Sequence, residues 1–489
     1  YDMGSTCTVT ASVNGGYEVA GWDEGGRIVS DGNRDSFEGL SGRTPSPPDR
    51  NFGGGGGTLS GKSPADCRAG GGISLFGGGA RGNPGGATLD TPRGAGEVAR
   101  VVCSCLPRLS RAVFYGSPRH TGVEREFSRG KIPPMNVSAA LDWLFSTQFF
   151  GIKLGLDNTE KLLAAAGADR INATVVHVAG TNGKGSTCAM IEALARAQGY
   201  VTGLFTSPHL VDFSERIRVN GDMITPDALA EEISFLKQLA EGWEQPPTFF
   251  ELALAVALRH FRKNSVNFII LETGLGGRLD ATNAVPKDIA VLAPIGLDHQ
   301  QYLGDTLEEI AAEKAAIIAP GKPSVTAVQH PGVMAVIERT ARNRRSPLTI
   351  ARADRNTPRP CLPGAHQREN AALALETMRR LHALPSPAAA AAVLARVQWP
   401  GRFERLETPP LVLDGAHNEH AARVLAATWK EEFPGRKAAL VFAASADKHI
   451  REMIPVLREI AGEWHLVPCT SPRIMPAQEM AALLAGQET

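Results

Sequence analysis

From about residue 135 onward, apolar residues recur in two rhythms that take turns along the chain. Short runs rich in β-branched and aliphatic residues predict strands over Thr174–Val178, Val201–Phe205, Phe268–Glu272, Ile289–Ala293 and Ser324–Val328. Between them, apolar residues three and four apart predict helices over Ser186–Gln198, Pro226–Ala240, Phe250–Phe261, Leu307–Ile318 and Gly332–Ala341, after a first helix over Val137–Phe149. Strands alternating with helices imply an α/β fold built on a mostly parallel sheet with helices on both faces. A smaller α/β unit is expected to begin near Pro400, with strands Pro410–Leu413 and Ala438–Phe442 and helices Glu419–Glu432 and Lys448–Ile460. No internal repeat interrupts this reading.

Residues 1–134 break the pattern. They hold 29 of the 52 glycines, including the runs Gly53–Gly57 and Gly77–Gly79, and no apolar period persists there. Little packed structure is expected, and the segment reads as a disordered or non-native leader, with Met135 as the natural start. Arg108, Arg111, Arg119 and Arg125 suggest an organellar transit segment, against which Glu124 and Glu126 argue. The division expected is therefore 1–134, 135–398 and 399–489. Fifty-one basic and 51 acidic residues cancel, so no global field draws the chain to nucleic acid or to a membrane surface. No apolar run reaches the roughly 18 residues of a membrane span. Of seven cysteines, Cys188, Cys361 and Cys469 lie beyond the leader. Their odd number and wide spacing suit free thiols in a reducing, cytoplasmic compartment.

Candidate chemistry is densest at His177–Thr187, where a strand leads through Gly180-Thr181-Asn182-Gly183-Lys184-Gly185 into a helix opening with Ser186 and Thr187. A glycine-rich turn before a helix N-terminus presents backbone N–H groups to a phosphate, and a lysine neutralises its charge. Gly185 follows the lysine where the general pattern has a hydroxyl residue, so the match is to the principle more than to the motif.

Four further segments follow strands, where open α/β sheets gather ligands. The polar loop Thr206–Gly221 carries Ser207, whose hydroxyl could join the shell of a hard cation. Glu272 ends an apolar strand, where an unpaired carboxylate is costly; a magnesium ion or a salt bridge with Arg278 would relieve it. His299, in Gly296-Leu297-Asp298-His299, stays undecided on residue type alone. Arg402 stands at the junction of the two units, and Asp414 ends a strand ahead of His417.

Taken in order, His177–Thr187, Thr206–Gly221, Leu271–Asn283, Pro294–Gly304, Glu313–Pro323, Leu362–Leu373, Trp399–Glu404 and Leu411–Asn418 resemble the folylpolyglutamate synthase/dihydrofolate synthase family of the Mur ligase superfamily. The resemblance covers about 355 of the 489 residues. It implies a P-loop domain of the Mur ligase central type followed by a Rossmann-like domain. ATP is expected at Asn182, Gly183, Lys184, Gly185, Ser186 and Thr187, with Asn370, Arg402 and Asp414 reaching it from the far side. Magnesium is expected at Ser207, Glu272 and His299, with room left for a monovalent cation. Lys314 is expected to be carbamylated, and Lys314 and His417 join Lys184 as catalytic candidates. The pterin or folate is expected near Leu154, Gly155, Leu156, Thr248, Phe249, Phe250, Glu251, Leu279, Asp280 and Ala281. Phe250 is suited to stacking on a flat heterocycle.

The reaction so implied is ATP-dependent addition of L-glutamate to dihydropteroate or a reduced folate through an acyl phosphate, by a monomer. Between Lys314 and Asn370 the chain is shorter than the resemblance leads one to expect, Ala319 replaces a common lysine, and Thr489 precedes the last expected strands. Two other readings stay open: a Mur-type ligase acting on a UDP-muramyl precursor, and a P-loop protein that binds nucleotide without ligation.

Overall fold

The computed structural model describes residues 135–150, 155–407, 410–446, 448–468 and 473–486, with backbone alone for 149–150 and for three short strands upstream. Two of these, β1 (Gly21–Trp22) and β2 (Ile28–Val29), pair antiparallel within a separate unit, Thr10–Glu97. The third, β3 (Arg100–Cys103), belongs to the main body.

Eight strands form the larger sheet: β4 (Thr174–Ala179), β5 (Thr202–Phe205), β6 (Ile217–Val219), β7 (Asp222–Met223), β8 (Phe268–Glu272), β9 (Ile289–Leu292), β10 (Ser324–Thr326) and β11 (Leu348–Ile350). Their order is β11-β10-β9-β4-β8-β5-β6-β7. Pairing is parallel from β11 to β5, and β6 and β7 close one edge antiparallel. The five expected strands are all present within two residues. The other three are two or three residues long, too short to display a period.

Because successive side chains of a strand face opposite ways, each buried strand feeds two cores. Val175 enters one, with Phe205, Leu252 and Phe261. Val176 and Val178 enter the other, with Met190, Ile191 and Leu373. The first is covered by helices Pro226–Ala240 and Phe249–Lys263, the second by Lys184–Ala197 and Ala365–Arg380. β4 lies between β8 and β9, so the connections diverge at its carboxyl end, the position where such sheets open a crevice for ligand.

The second sheet comprises β12 (Glu404–Glu407), β13 (Pro410–Asp414), β14 (Ala438–Phe442) and β15 (Ala461–Leu466), in the order β12-β13-β3-β14-β15. β12 and β13 form an antiparallel pair, and the rest is parallel. β3 thus pairs with β13 and β14 at once, in a segment expected to contribute little packed structure. Trp429, Leu440, Phe442, Met453 and Leu457 fill the core beneath helices Glu419–Glu432 and Ile450–Arg458. Helix Ile450–Arg458 is shorter than expected and carries Pro455 inside it.

No helix among the described residues is long and apolar enough to cross a membrane. Cys188 is a buried free thiol, and Cys469 lies outside the described residues.

Candidate active site

β4 delivers the chain to the phosphate loop, and the loop is fixed by its surroundings. Thr181 donates its N–H to the Pro294 carbonyl at 2.9 Å and its hydroxyl to Gly296 O at 3.0 Å. Gly183 takes the left-handed conformation, φ 80°, immediately before helix Lys184–Ala197. A Cβ there would stand 2.5 Å from Asn370 Oδ1, so a side chain is excluded by conformation and by space. Gly185 is needed for close approach alone: a Cβ would stand 2.8 Å from the Trp399 indole nitrogen. Lys184 Nζ donates to Thr181 O at 3.2 Å. Gln367 donates to the buried Ser186 hydroxyl at 3.4 Å, and the Thr187 hydroxyl is buried with no hydrogen-bond partner.

The structure brings Ser207 and Glu272 together. Glu272, buried at the end of β8, accepts the Ser207 N–H at 3.1 Å. Burial raises its pKa, opposed chiefly by the Lys184 charge. Arg278 pairs with Glu313 at 2.8 Å, which removes the alternative of a Glu272–Arg278 bridge.

His299 belongs to a second group. It adopts φ 52° ahead of the short helix Gln300–Leu303, and burial pulls its imidazole down to about 4, leaving it neutral. Beside it, Asp298 accepts from Lys448 Nζ at 2.7 Å and from Asn418 Nδ2 at 3.2 Å, with His417 Nε2 at 3.5 Å. Burial works against the Asp298 carboxylate, yet His417, His299 and Lys448 outweigh it and hold the group well below the usual carboxylate range. Lys314 is also buried and donates to Gly180 O at 3.0 Å. Burial, then the Lys184 charge, brings its ammonium down to about 7.

Among the described residues no three His, Cys, Asp or Glu side chains converge on one point. One carboxylate beside a hydroxyl, next to a phosphate cradle, nevertheless fits magnesium, which keeps water and phosphate oxygens in its shell.

The second domain meets the loop directly. Asn182 Nδ2 lies 2.7 Å from His420 Nδ1 and 3.3 Å from Asn418 Oδ1. Arg402 rests against the backbone, donating to Gly401 O at 3.2 Å. The Asp414 carboxylate, expected to face nucleotide, accepts the N–H groups of Phe403 and Ala416, both at 2.9 Å, and so ties the Arg402 loop to the His417 loop. The buried Asn370 accepts no such duty; it donates to Gln367 at 3.0 Å and backs Gly183. His417 is tethered through Nδ1 to Gly415 O at 2.8 Å.

On the acceptor side, Thr248 and Glu251 form a capping box at the start of helix Phe249–Lys263, and Glu251 also accepts from Thr159 at 2.8 Å. That role is architectural. It orients Phe249, stacked on Phe145 at 5.5 Å, and Phe250, 5.6 Å from Phe205 and close over Gly274. Asp280, expected to touch the pterin, is buried and accepts the N–H groups of Gly274 (2.9 Å), Leu275 (2.8 Å) and Thr282 (3.0 Å). His177 Nε2 holds the Thr282 hydroxyl at 2.7 Å from below. Asp280 therefore pins the 273–283 loop on which Leu279, half-buried, and Ala281, buried, are carried. Gly155 and Leu156 reach the surface before helix Asp157–Ala165; Leu154 lies outside the described residues.

Sequence reasoning passed over several groups. Arg216, buried, donates to His209 Nδ1 at 2.8 Å and lies over the rings of Phe213 and Phe249 at 5.7 and 5.4 Å. Asp298 and Asn418 stood inside segments already singled out, whereas Lys448 carried no local signal.

Two families match the chain, the Mur ligase middle domain over residues 178–358 and the Mur ligase, glutamate ligase domain over residues 401–489. The chain is 37% identical to the dihydrofolate synthase/folylpolyglutamate synthase of Bacillus subtilis, over 70% of this chain and 87% of that protein. Among solved structures, it superposes on Escherichia coli FolC in complex with DHPP and ADP with a TM-score of 0.65 at 31% identity, covering 71% of this chain and 87% of that one. Mycobacterium tuberculosis folylpolyglutamate synthase complexed with ADP and AMPPCP is similar with a TM-score of 0.66 at 27% identity, covering 72% and 87%.

Proposed function

The chain belongs to the dihydrofolate synthase/folylpolyglutamate synthase family, and from that premise we propose which of its residues carry out the ATP-dependent glutamate ligation of folate metabolism that it performs. A carboxylate cannot be displaced by an amine, because oxide is too poor a leaving group. Transfer of the γ-phosphoryl from ATP to a carboxylate oxygen gives an acyl phosphate and ADP. The neutral amine of L-glutamate then attacks the acyl carbon; phosphate departs and the nitrogen loses a proton as the amide forms. Positioning and charge stabilisation are the protein's share.

In our reading the N–H groups of Asn182–Thr187 and the helix N-terminus cradle the phosphates, and Lys184 swings from Thr181 O onto the transferring group. Ser207 and Glu272 would hold magnesium, with neutral His299 approaching from the neighbouring group; the ion would supply positive charge at the phosphate oxygens. Arg402 would reach the nucleotide from the second domain, and Asn370 from behind Gly183. Asp414 and His417 set the loop that presents it.

Lys314, buried with an ammonium brought down to about 7, has the neutral amine that carbon dioxide requires. The carbamate formed, with loss of one proton, would stand as an anion beside Gly180 O. Phe249 and Phe250, with Leu156, Leu279 and Ala281 around them, form the wall for a flat heterocycle.

On this reading the catalytic fold divides at 398/399, β3 from the segment ahead of Met135 completes the second sheet, and the protein acts as a cytosolic monomer. One observation carries this reading: the phosphate loop, the buried strand-end Glu272 and the second domain's Arg402 loop all gather at the carboxyl ends of β4 and β8. ADP release measured with dihydropteroate and with tetrahydrofolate separately is expected to require L-glutamate in each productive case. Slow hydrolysis indifferent to glutamate and to both acceptors would reject the assignment.

A further inference from the structure

Behind the phosphate-loop helix lies a cavity of about 440 Å³ that none of the chemistry above uses. It runs along the second half of helix Lys184–Ala197, under β6 and the linker that leads into the second domain. Three guanidinium groups from three different elements line it: Arg196 from the helix, Arg218 from β6 and Arg396 from the linker. The lining holds one carboxylate, Glu192, and it is already engaged. It is buried, accepts the Thr202 hydroxyl at 2.6 Å and pairs with Arg196 at 3.3 Å.

Arg218 and Arg396 make no ion pair with the described residues. Arg218 is half-buried, donates Nε to Glu215 O at 3.3 Å and lies 5.5 Å over the Trp399 ring; burial draws its pKa below the ordinary value. The Glu215 and Glu192 charges oppose that burial from a distance without an ion pair, so an anion entering the cavity gains a charge-assisted hydrogen bond at Arg218, with the exposed Arg396 beside it. The wall between the arginines is apolar, made by Ala189, Val393 and their neighbours. An occupant that satisfies all of this carries several carboxylates separated by methylene groups.

We propose that this cavity binds the oligo-γ-glutamate tail of the enzyme's own product class, with α-carboxylates on Arg218 and Arg396 and side-chain methylenes on the apolar wall. The inference rests on the ligase assignment but not on the catalytic site. Arg196 stands twelve residues beyond Lys184 along the helix, a rise of roughly 18 Å. Trp399 gives the cavity a route back to catalysis. Its ring forms one wall, and its indole nitrogen packs against Gly185 of the phosphate loop, two residues before the Gly401–Arg402 junction. A tail held here bears on Trp399, and so a grown product is sensed at the loop and the linker together.

The probe is free tri-γ-glutamate, titrated by calorimetry into the full chain, with the fluorescence difference between wild type and Trp399→Phe reporting on the wall. Binding is expected to weaken with added salt. It is expected to fall by about tenfold or more in Arg218→Ala/Arg396→Ala and in the single surface reversal Arg396→Glu. Ligation of a monoglutamate-free acceptor is expected to keep its kcat/KM in these variants. No binding by wild type, equal binding by the variants, or equal competition by inorganic phosphate or by single L-glutamate would overturn the proposal. The ligation assay on the same preparations reports separately on the ligase assignment.

Discussion

Two lysines stand near the phosphate loop with different duties. Among the described residues Lys184 donates its one hydrogen bond to Thr181 O, so Lys184→Ala should stay folded with a thermal midpoint close to that of wild type. It should lower glutamate-dependent ADP formation by about 10²–10³, the usual loss when a preorganised charge is taken from a developing transition state. Unaltered ADP release from a folded variant would remove Lys184 from the reaction. Glu272→Ala should raise the magnesium concentration needed for half-maximal turnover, and an unchanged metal titration would free that carboxylate of its assigned role.

Lys314 makes a pH prediction whose sign is fixed by its burial. Its ammonium is brought from the ordinary 10.5 to about 7, so between these values the unfolded chain binds a proton that the folded chain does not. The cost of the buried charge is fully present below pH 7 and fades as pH rises toward 10.5. Urea midpoints of wild type should therefore gain on those of Lys314→Met between pH 7 and pH 9; parallel profiles would contradict the assignment. Residues of the phosphate loop were legible because their chemistry is local: strand, glycines, lysine and helix follow one another. Lys448 was not, because its partner Asp298 lies 150 positions away and nothing near either residue announces the pairing.

At the scale of elements, the 273–283 loop shows a structural duty of a polar residue that residue type alone does not display. Asp280 follows a strand and a glycine-rich turn, the setting of a ligand contact, yet its oxygens serve the N–H groups of Gly274, Leu275 and Thr282. Those partners are backbone groups, which residue type cannot reveal. Asp280→Ala leaves several donors unsatisfied, each costing about 1–3 kcal/mol. A loss of about 2–4 kcal/mol in urea unfolding is expected, with a raised KM for the pterin acceptor as the loop loosens. An unchanged stability would mean the loop is held by packing alone.

The same limit acted on Asp414, whose carboxylate joins two loops, and on Thr248 and Glu251, whose capping box is readable from spacing once the helix start is known. The long strands were visible because burial on both faces demands continuous apolar runs. β6, β7 and β11 were not, because so few residues hold no pattern. Nor does apolar pattern foretell β3, whose four residues pair with strands more than 300 positions later in the sequence.

At the scale of the molecule, the two domains meet through polar groups around the phosphate loop. Asn182 reaches His420 and Asn418, and Asp298 gathers Lys448, Asn418 and His417. Such contacts are specific but exchangeable with water and substrate, which suits a cleft that must admit three reactants. The order of the domains and the chemistry at their junction could be read from the motifs, whereas the contacts across the cleft required the fold.

The central claim is that the terminal phosphoryl group of ATP, gripped by the loop after β4, passes to an acceptor carboxylate before glutamate attacks. Positional isotope transfer tests it most directly, with dihydropteroate or folate acceptor labelled with ¹⁸O in its carboxylate and inorganic phosphate analysed by mass spectrometry after turnover. One labelled oxygen in each phosphate released is predicted, since the carboxylate oxygen leaves bonded to phosphorus. Phosphate whose fourth oxygen comes from solvent rather than from the labelled carboxylate, formed at the rate of product, would contradict the account.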